Sequence, residues 1–110
     1  MLTLYGLPNC DTCRTARKAL EAAGKTVEFR DVRADPLDAE TLTRFHVSLG
    51  NIVINRRSTT WRGLSDDDRA GDPVALLLAH PTLMKRPVIE AGGTLTLGWD
   101  TATQAVHLGP

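Results

Sequence analysis

Short apolar runs alternate with longer amphipathic stretches along this chain, and the alternation predicts a mixed α/β protein. Thr3-Leu4-Tyr5 reads as a short strand, closed by Gly6 and Pro8. Residues 9–12 form a loop that enters a helix. From Asp11 to Ala23 helix formers dominate, Cys13, Ala16, Leu20 and Ala23 share one face, and Gly24 is placed to end the helix. Thr26 to Val32 alternates, with Val27 and Phe29 facing one way, and predicts a second strand. Asp38 is a good N-cap, and Leu37 and Leu42 are spaced for a hydrophobic staple across it. Leu42, Phe45 and Leu49 mark the apolar stripe of that helix, which Gly50 stops. Ile52-Val53-Ile54 is too short to assign to either type. Ser58 to Arg69 predicts one or two short helical turns, with Asp66-Asp67-Asp68 as an acidic first turn after Ser65. Asp72-Pro73 opens a buried helix through Ala79, which His80-Pro81 breaks. Val88-Ile89 and Thr94 to Leu97 flank Gly92-Gly93, a hairpin turn signal. Asp100 can cap a last helix reaching about Val106.

The order is strand, helix, strand, several helices, hairpin, helix. A β-α-β opening and a β-β-α close predict a small mixed sheet covered by helices, the element order of a thioredoxin-like fold with a helical insert. The 110 residues are expected to form one domain, with the insert at about residues 50–85. At 42% hydrophobic and 24% charged, the composition is that of a globular protein.

Charge narrows the choice of partner. Thirteen basic residues balance thirteen acidic ones. A protein that binds nucleic acid through phosphate neutralisation is basic, so direct nucleic-acid binding is not expected. The longest apolar run, Val74 to Ala79, is far short of the ~20 residues of a membrane helix. The first residues, Met1 to Tyr5, lack the basic start and long apolar stretch of an export signal. The expected location is therefore cytoplasmic, where a structural disulfide is disfavoured.

That setting changes the meaning of the two cysteines, Cys10 and Cys13. A bond between them would close a tiny loop and stabilise little by chain entropy. Cys10 falls just before a helix and Cys13 in its first turn, where unpaired backbone N–H groups and the helix dipole favour a thiolate. The thiolate is the nucleophile of disulfide exchange, so Cys10 is the candidate nucleophile and Cys13 a candidate resolving thiol. The bland alternative is two small residues at a helix start. Zinc is disfavoured, because a structural site needs four ligands and His46, His80 and His107 are not paired at ligand spacing.

Two basic segments are further candidates. Asn55-Arg56-Arg57-Ser58-Thr59-Thr60-Trp61-Arg62 can hold an anion through charge-assisted hydrogen bonds. It can equally be a solvated loop with Trp61 anchored in the core. In Lys85-Arg86-Pro87-Val88, Pro87 stands at a strand start, and Arg86 is either a surface residue or one that faces the thiolate.

The segments Tyr5 to Thr12, Asn55 to Arg62 and His80 to Val88 resemble the arsenate reductase-like (ArsC/Spx) family, most of all its YffB-type branch. The resemblance implies a thioredoxin-like fold with a helical insert and Cys10 as the nucleophile with Arg86 beside it. It also implies that Pro87 is a cis-proline next to the active thiol. It assigns Asn9, Asp11, Thr12, Arg56, Arg57 and Pro87 to the substrate, with one of the two loop arginines completing the pocket.

Two departures bear on the reaction. Arsenate-reducing members carry an arginine in the last strand, where this chain has Leu95-Thr96-Leu97-Gly98-Trp99. A pocket short of one cation holds a doubly charged oxyanion less well. Cys13 is the second departure, since the cysteine pair is like that of the Spx branch. The expected function is a glutathione-dependent thiol-disulfide oxidoreductase that holds no bound cofactor. Glutathione or glutaredoxin would be its partner, and a small thiol, disulfide or oxyanion its substrate. A monomer is expected. The alternatives are arsenate reduction coupled to glutathione or glutaredoxin, and a redox-sensing regulator that binds RNA polymerase.

Overall fold

Strands of four or five residues build the sheet of this protein, described by a computed structural model over residues 1–109. Pro110, the end of the expected domain, lies outside the described residues. Strands β1 (Leu2–Gly6), β2 (Val27–Asp31), β3 (Val88–Ala91) and β4 (Thr94–Leu97) lie in the order β2-β1-β3-β4. β1 runs parallel to β2 and antiparallel to β3, and β3 runs antiparallel to β4. Helix α1 (Asp11–Ala22) makes the crossover between the parallel strands. The fold is thus α/β, a mixed four-stranded sheet with helices, as the element order predicted.

The core of this unit follows the predicted faces. Leu2 and Leu4 of β1, Ile89 of β3, and Cys13, Ala16 and Leu20 of α1 form one buried cluster, with Val27 and Phe29 packed against it. Ala23 does not join them. The helix ends at Ala22, Ala23 is exposed, and Gly24 follows at φ 83°, a left-handed conformation that terminates the helix. Gly92 and Gly93 have φ of 53° and 86°, the two positive values of the tight turn expected between β3 and β4. The last helix, α6 (Thr101–Leu108), is capped by Asp100 and runs two residues past Val106, stopping at Gly109.

The chain forms two compact units. Met1–Asp31 and the segment from Arg86 onward make the first, and Val32–Lys85 the second. The second begins well before residue 50, the expected start of the insert. Its first helix, α2 (Ala39–Leu49), is capped by Asp38, whose carboxylate accepts from Thr41 N–H at 2.8 Å. Leu37 and Leu42, the staple pair, are buried. They line one small apolar cavity with Leu77 and Met84, so α2 shares a core with the residues that follow it. Those residues form a 3-10 turn at Gly50–Val53, α3 (Thr59–Arg62), α4 (Asp66–Arg69), α5 (Pro73–Ala79) and a second 3-10 turn at Pro81–Leu83. The short apolar run divides, with Ile52 exposed, Val53 and Ile54 buried, and Ile54 bridged to Met84.

No helix among the described residues is long and apolar enough to cross a membrane.

Candidate active site

The site begins where β1 ends. A turn over Leu7, Pro8 and Asn9 carries the chain into α1, and Cys10 N–H closes it on the Leu7 carbonyl at 3.2 Å. Cys10 is the N-cap of α1, in extended conformation, and is half-buried. Its side chain makes no conventional capping hydrogen bond. One turn on, Cys13 is buried with 0% exposure. Neither cysteine is in a disulfide.

The two thiols differ in ionisation for reasons that can be named. At Cys10, burial opposes the charged form. The Cys13 N–H, the Cys13 thiol and the Arg86 guanidinium all favour it, and together they hold Cys10 below its ordinary value. At Cys13, burial is the main influence. The neighbouring Cys10 adds to it, against the Leu7 N–H and Arg86, and the thiol is pushed up to about 12. Of the two thiols, Cys10 is therefore the one that ionises more readily, and Cys13 holds its proton more tightly.

Arg86 and Pro87 come from the segment that enters β3. The Arg86–Pro87 peptide is cis. Register pairs Tyr5 with Val88, so one further step sets Pro87 opposite Gly6, at the end of β1 from which the chain turns to Cys10. Pro87 is buried, and its carbonyl accepts from Gly98 N–H at 2.8 Å.

Cys10, Cys13 and Arg86 thus come together. The remaining predicted residues are placed differently. Asn9, Asp11 and Thr12 are exposed, and Asp11 is ion-paired with Arg14 on the solvent side of α1. Arg56 and Arg57 belong to the second unit, where they line a cleft of about 400 Å³ with Asn51, Ile52, Ile54, Asn55 and Lys85. Asn55 Oδ1 accepts the Arg57 N–H at 3.1 Å. Trp61 is half-buried rather than a core anchor, with the Arg56 and Arg69 guanidinium carbons 5.7 and 5.6 Å from its ring centroid. Arg69 also donates to the Trp61 and Arg62 carbonyls, tying α4 to α3.

Three groups have parts that sequence reasoning did not give them: Gly6 was read only as a strand end, and His107 only as a disfavoured zinc ligand. Gly6 lies against Cys13: a Cβ built on it would overlap Cys13 Sγ. The Leu7 N–H acts on the same sulfur. His107 is buried and bonded to Thr96 Oγ1 at 2.7 Å. The glycine carried a readable signal, since a strand-end Gly two residues after an apolar position marks a turn or a close approach. The chain alone did not say which. Among the described residues no group of three or more His, Cys, Asp or Glu side chains is arranged to hold a metal ion.

The small mixed sheet thus presents Cys10 at a helix N-terminus, with the Cys13 thiol and the Arg86 guanidinium acting on its sulfur. The chain matches the ArsC family over residues 5–105 and belongs to it. It is 35% identical to an uncharacterized protein of Haemophilus influenzae, across 91% of this chain and 92% of that one. It is 28% identical to the global transcriptional regulator Spx of Enterococcus faecalis, across 91% of this chain and 80% of the regulator. Among solved structures, a YffB protein superposes with a TM-score of 0.90 at 34% identity, covering 98% of this chain and 99% of its own. An arsenate reductase-related protein of Brucella melitensis is 40% identical, with a TM-score of 0.75 and coverage of 96% and 92%. The proteins it resembles therefore include ones named for reduction and ones named for regulation.

Proposed function

We propose that the protein is a glutathione-dependent thiol-disulfide oxidoreductase with Cys10 as its nucleophile. The observation that carries this reading is the half-buried Cys10 thiol at the α1 N-cap, acted on by Arg86 and by the buried Cys13. Cys10 thiolate attacks one sulfur of a mixed disulfide between glutathione and a small thiol. A new bond joins Cys10 to glutathione, and the small thiol leaves with the electron pair and takes a proton. A second glutathione thiolate then attacks the glutathione sulfur. This releases oxidised glutathione and returns Cys10 as thiolate. Cys13 keeps its proton throughout and acts on Cys10 as a donor. Its burial and high pKa support assigning resolution to glutathione rather than to Cys13. The protein works as a monomer in a reducing, cytoplasmic setting, with glutathione or glutaredoxin as its redox partner. It needs no bound cofactor and contacts neither nucleic acid nor membrane.

The test is turnover of a glutathione mixed disulfide, coupled to reduction of the oxidised glutathione formed. Cys10→Ser is expected to abolish turnover. Cys13→Ser, which removes the thiol but keeps a hydroxyl donor beside Cys10, is expected to retain most of it. Full turnover by Cys10→Ser would overturn the reading.

The 40% identity to an arsenate reductase-related protein favours arsenate as a second substrate. In that reaction Cys10 would attack arsenic and glutathione would reduce the adduct. The lack of an arginine at Leu95–Trp99 weighs against it. Arsenite release from arsenate by the purified protein with glutathione and glutaredoxin would establish it, and none would exclude it.

A further inference from the structure

Gly6 is the last residue of β1, and Cys13 sits in the first turn of α1. A Cβ on Gly6 would overlap Cys13 Sγ and would approach Cys13 Cβ and Leu4 Cδ2 at 3.4 Å each. The sulfur therefore fills the space that a side chain at residue 6 would otherwise take. Gly6 shows no positive φ, so the backbone does not demand glycine there and the demand comes from the neighbouring sulfur. Cys13 is fully buried, and from this seat its thiol acts on Cys10.

We propose that Gly6 is a positioning residue of the site: the space left by its missing Cβ seats Cys13 Sγ where the Cys13 thiol donates to Cys10. The atoms nearest a Cβ at residue 6 belong to Cys13 and Leu4, so Gly6 acts through Cys13. Because interiors are close-packed, a methyl group at residue 6 cannot share this space, and the sulfur must move. Once moved, it no longer presents its proton to Cys10. The inference rests on Cys10 being the reactive thiol, but not on any particular substrate. The charged group that acts on Cys10 is Arg86, which stands on the segment before β3 and is not among the atoms nearest a Cβ at residue 6.

The experiment is the pH profile of Cys10 alkylation by iodoacetamide. The adduct is located by mass spectrometry, and a thermal melt is recorded for each variant. Gly6→Ala is expected to raise the apparent Cys10 pKa by about one pH unit, the scale of a lost hydrogen bond to a charged group, and to lower the melting temperature. Cys13→Ala is expected to raise that pKa by the same amount. In Gly6→Ala/Cys13→Ala the sulfur is gone and the added Cβ has room. The double variant is expected to recover melting temperature relative to Gly6→Ala, while its Cys10 pKa stays at the Cys13→Ala value. A structural role alone would change the melt and leave the pH profile in place. An unchanged profile in Gly6→Ala, or additive pKa changes in the double variant, would overturn the proposal. If Gly6→Ala does not fold, the double variant still decides: failure to recover stability contradicts the shared-space account. Alkylation needs no disulfide substrate, so these outcomes stand apart from a failure of the turnover assay.

Discussion

The cysteine turn of the first unit and the arginine loop of the second both present polar chemistry on short segments, yet they are built differently. Around Cys10 the groups act on one another at close range. A fully buried Cys13 and a half-buried Arg86 converge on one sulfur, so burial and charge together decide its ionisation. Around Trp61 the cations are distributed. Arg56 and Arg57 are exposed, Arg56 and Arg69 stack on the indole, and Arg69 ties two short helices together. The contrast teaches that a basic motif in a sequence does not carry the same weight as a reactive one. Exposed cations are screened by water, and a fully buried sulfur such as Cys13 is screened far less.

The comparison breaks most visibly at Arg86. Arg86→Ala removes both a donor and a positive charge from Cys10 and is expected to slow its alkylation roughly tenfold at pH 7, a pKa increase of about one unit. Arg86→Lys should keep part of the effect, as a point charge without the planar fork. Equal rates for wild type and Arg86→Ala would make the cysteine region no more cooperative than the loop.

The next effect is on stability against pH. Cys13 in the folded protein is raised to about 12, so the native state holds this proton more tightly than the unfolded chain does. Its contribution to stability is fully present below the ordinary thiol value of about 8.5 and is lost as pH rises through that value towards 12. The melting temperature of wild type should therefore fall more steeply between pH 8.5 and 11 than that of Cys13→Ala. Cys10 works in the opposite sense. Its lowered pKa adds stability above the ordinary value, so the difference between the two proteins, rather than either curve alone, is diagnostic.

Smaller effects are expected in the loop. Trp61→Ala removes the ring shared by Arg56 and Arg69 and should lower stability by roughly 1–2 kcal/mol in a denaturant titration. Arg57→Ala, at an exposed position, should stay within about 0.5 kcal/mol of wild type. A larger loss at Arg57 than at Trp61 would mean that the loop is held by the exposed cation, not by the ring.

These contrasts also explain what could be read from the chain. Helix caps were legible because Asp38, Ser65, Asp72 and Asp100 each bond the backbone three residues on, a local rule. The strand faces were legible because Val27 and Phe29 repeat with the period of a strand. Cys10 and Cys13 were legible because spacing alone sets them one helical turn apart. The boundary at Val32 was not, since it depends on Leu37 and Leu42 meeting Leu77 and Met84, far away in sequence. The cis geometry of Arg86–Pro87 could only be implied by resemblance, because both isomers suit a proline at a strand start. The seat of Cys13 against Gly6 and the opposite ionisation of the two thiols needed the packed sheet and helix.

The division of labour between the two thiols is tested most directly by titrating the purified protein against glutathione redox buffers and reading intact mass. The account predicts that one glutathione accumulates on Cys10 while Cys13 remains a free thiol. A reversible Cys10–Cys13 disulfide as the main oxidised species, with no glutathione adduct, would contradict it.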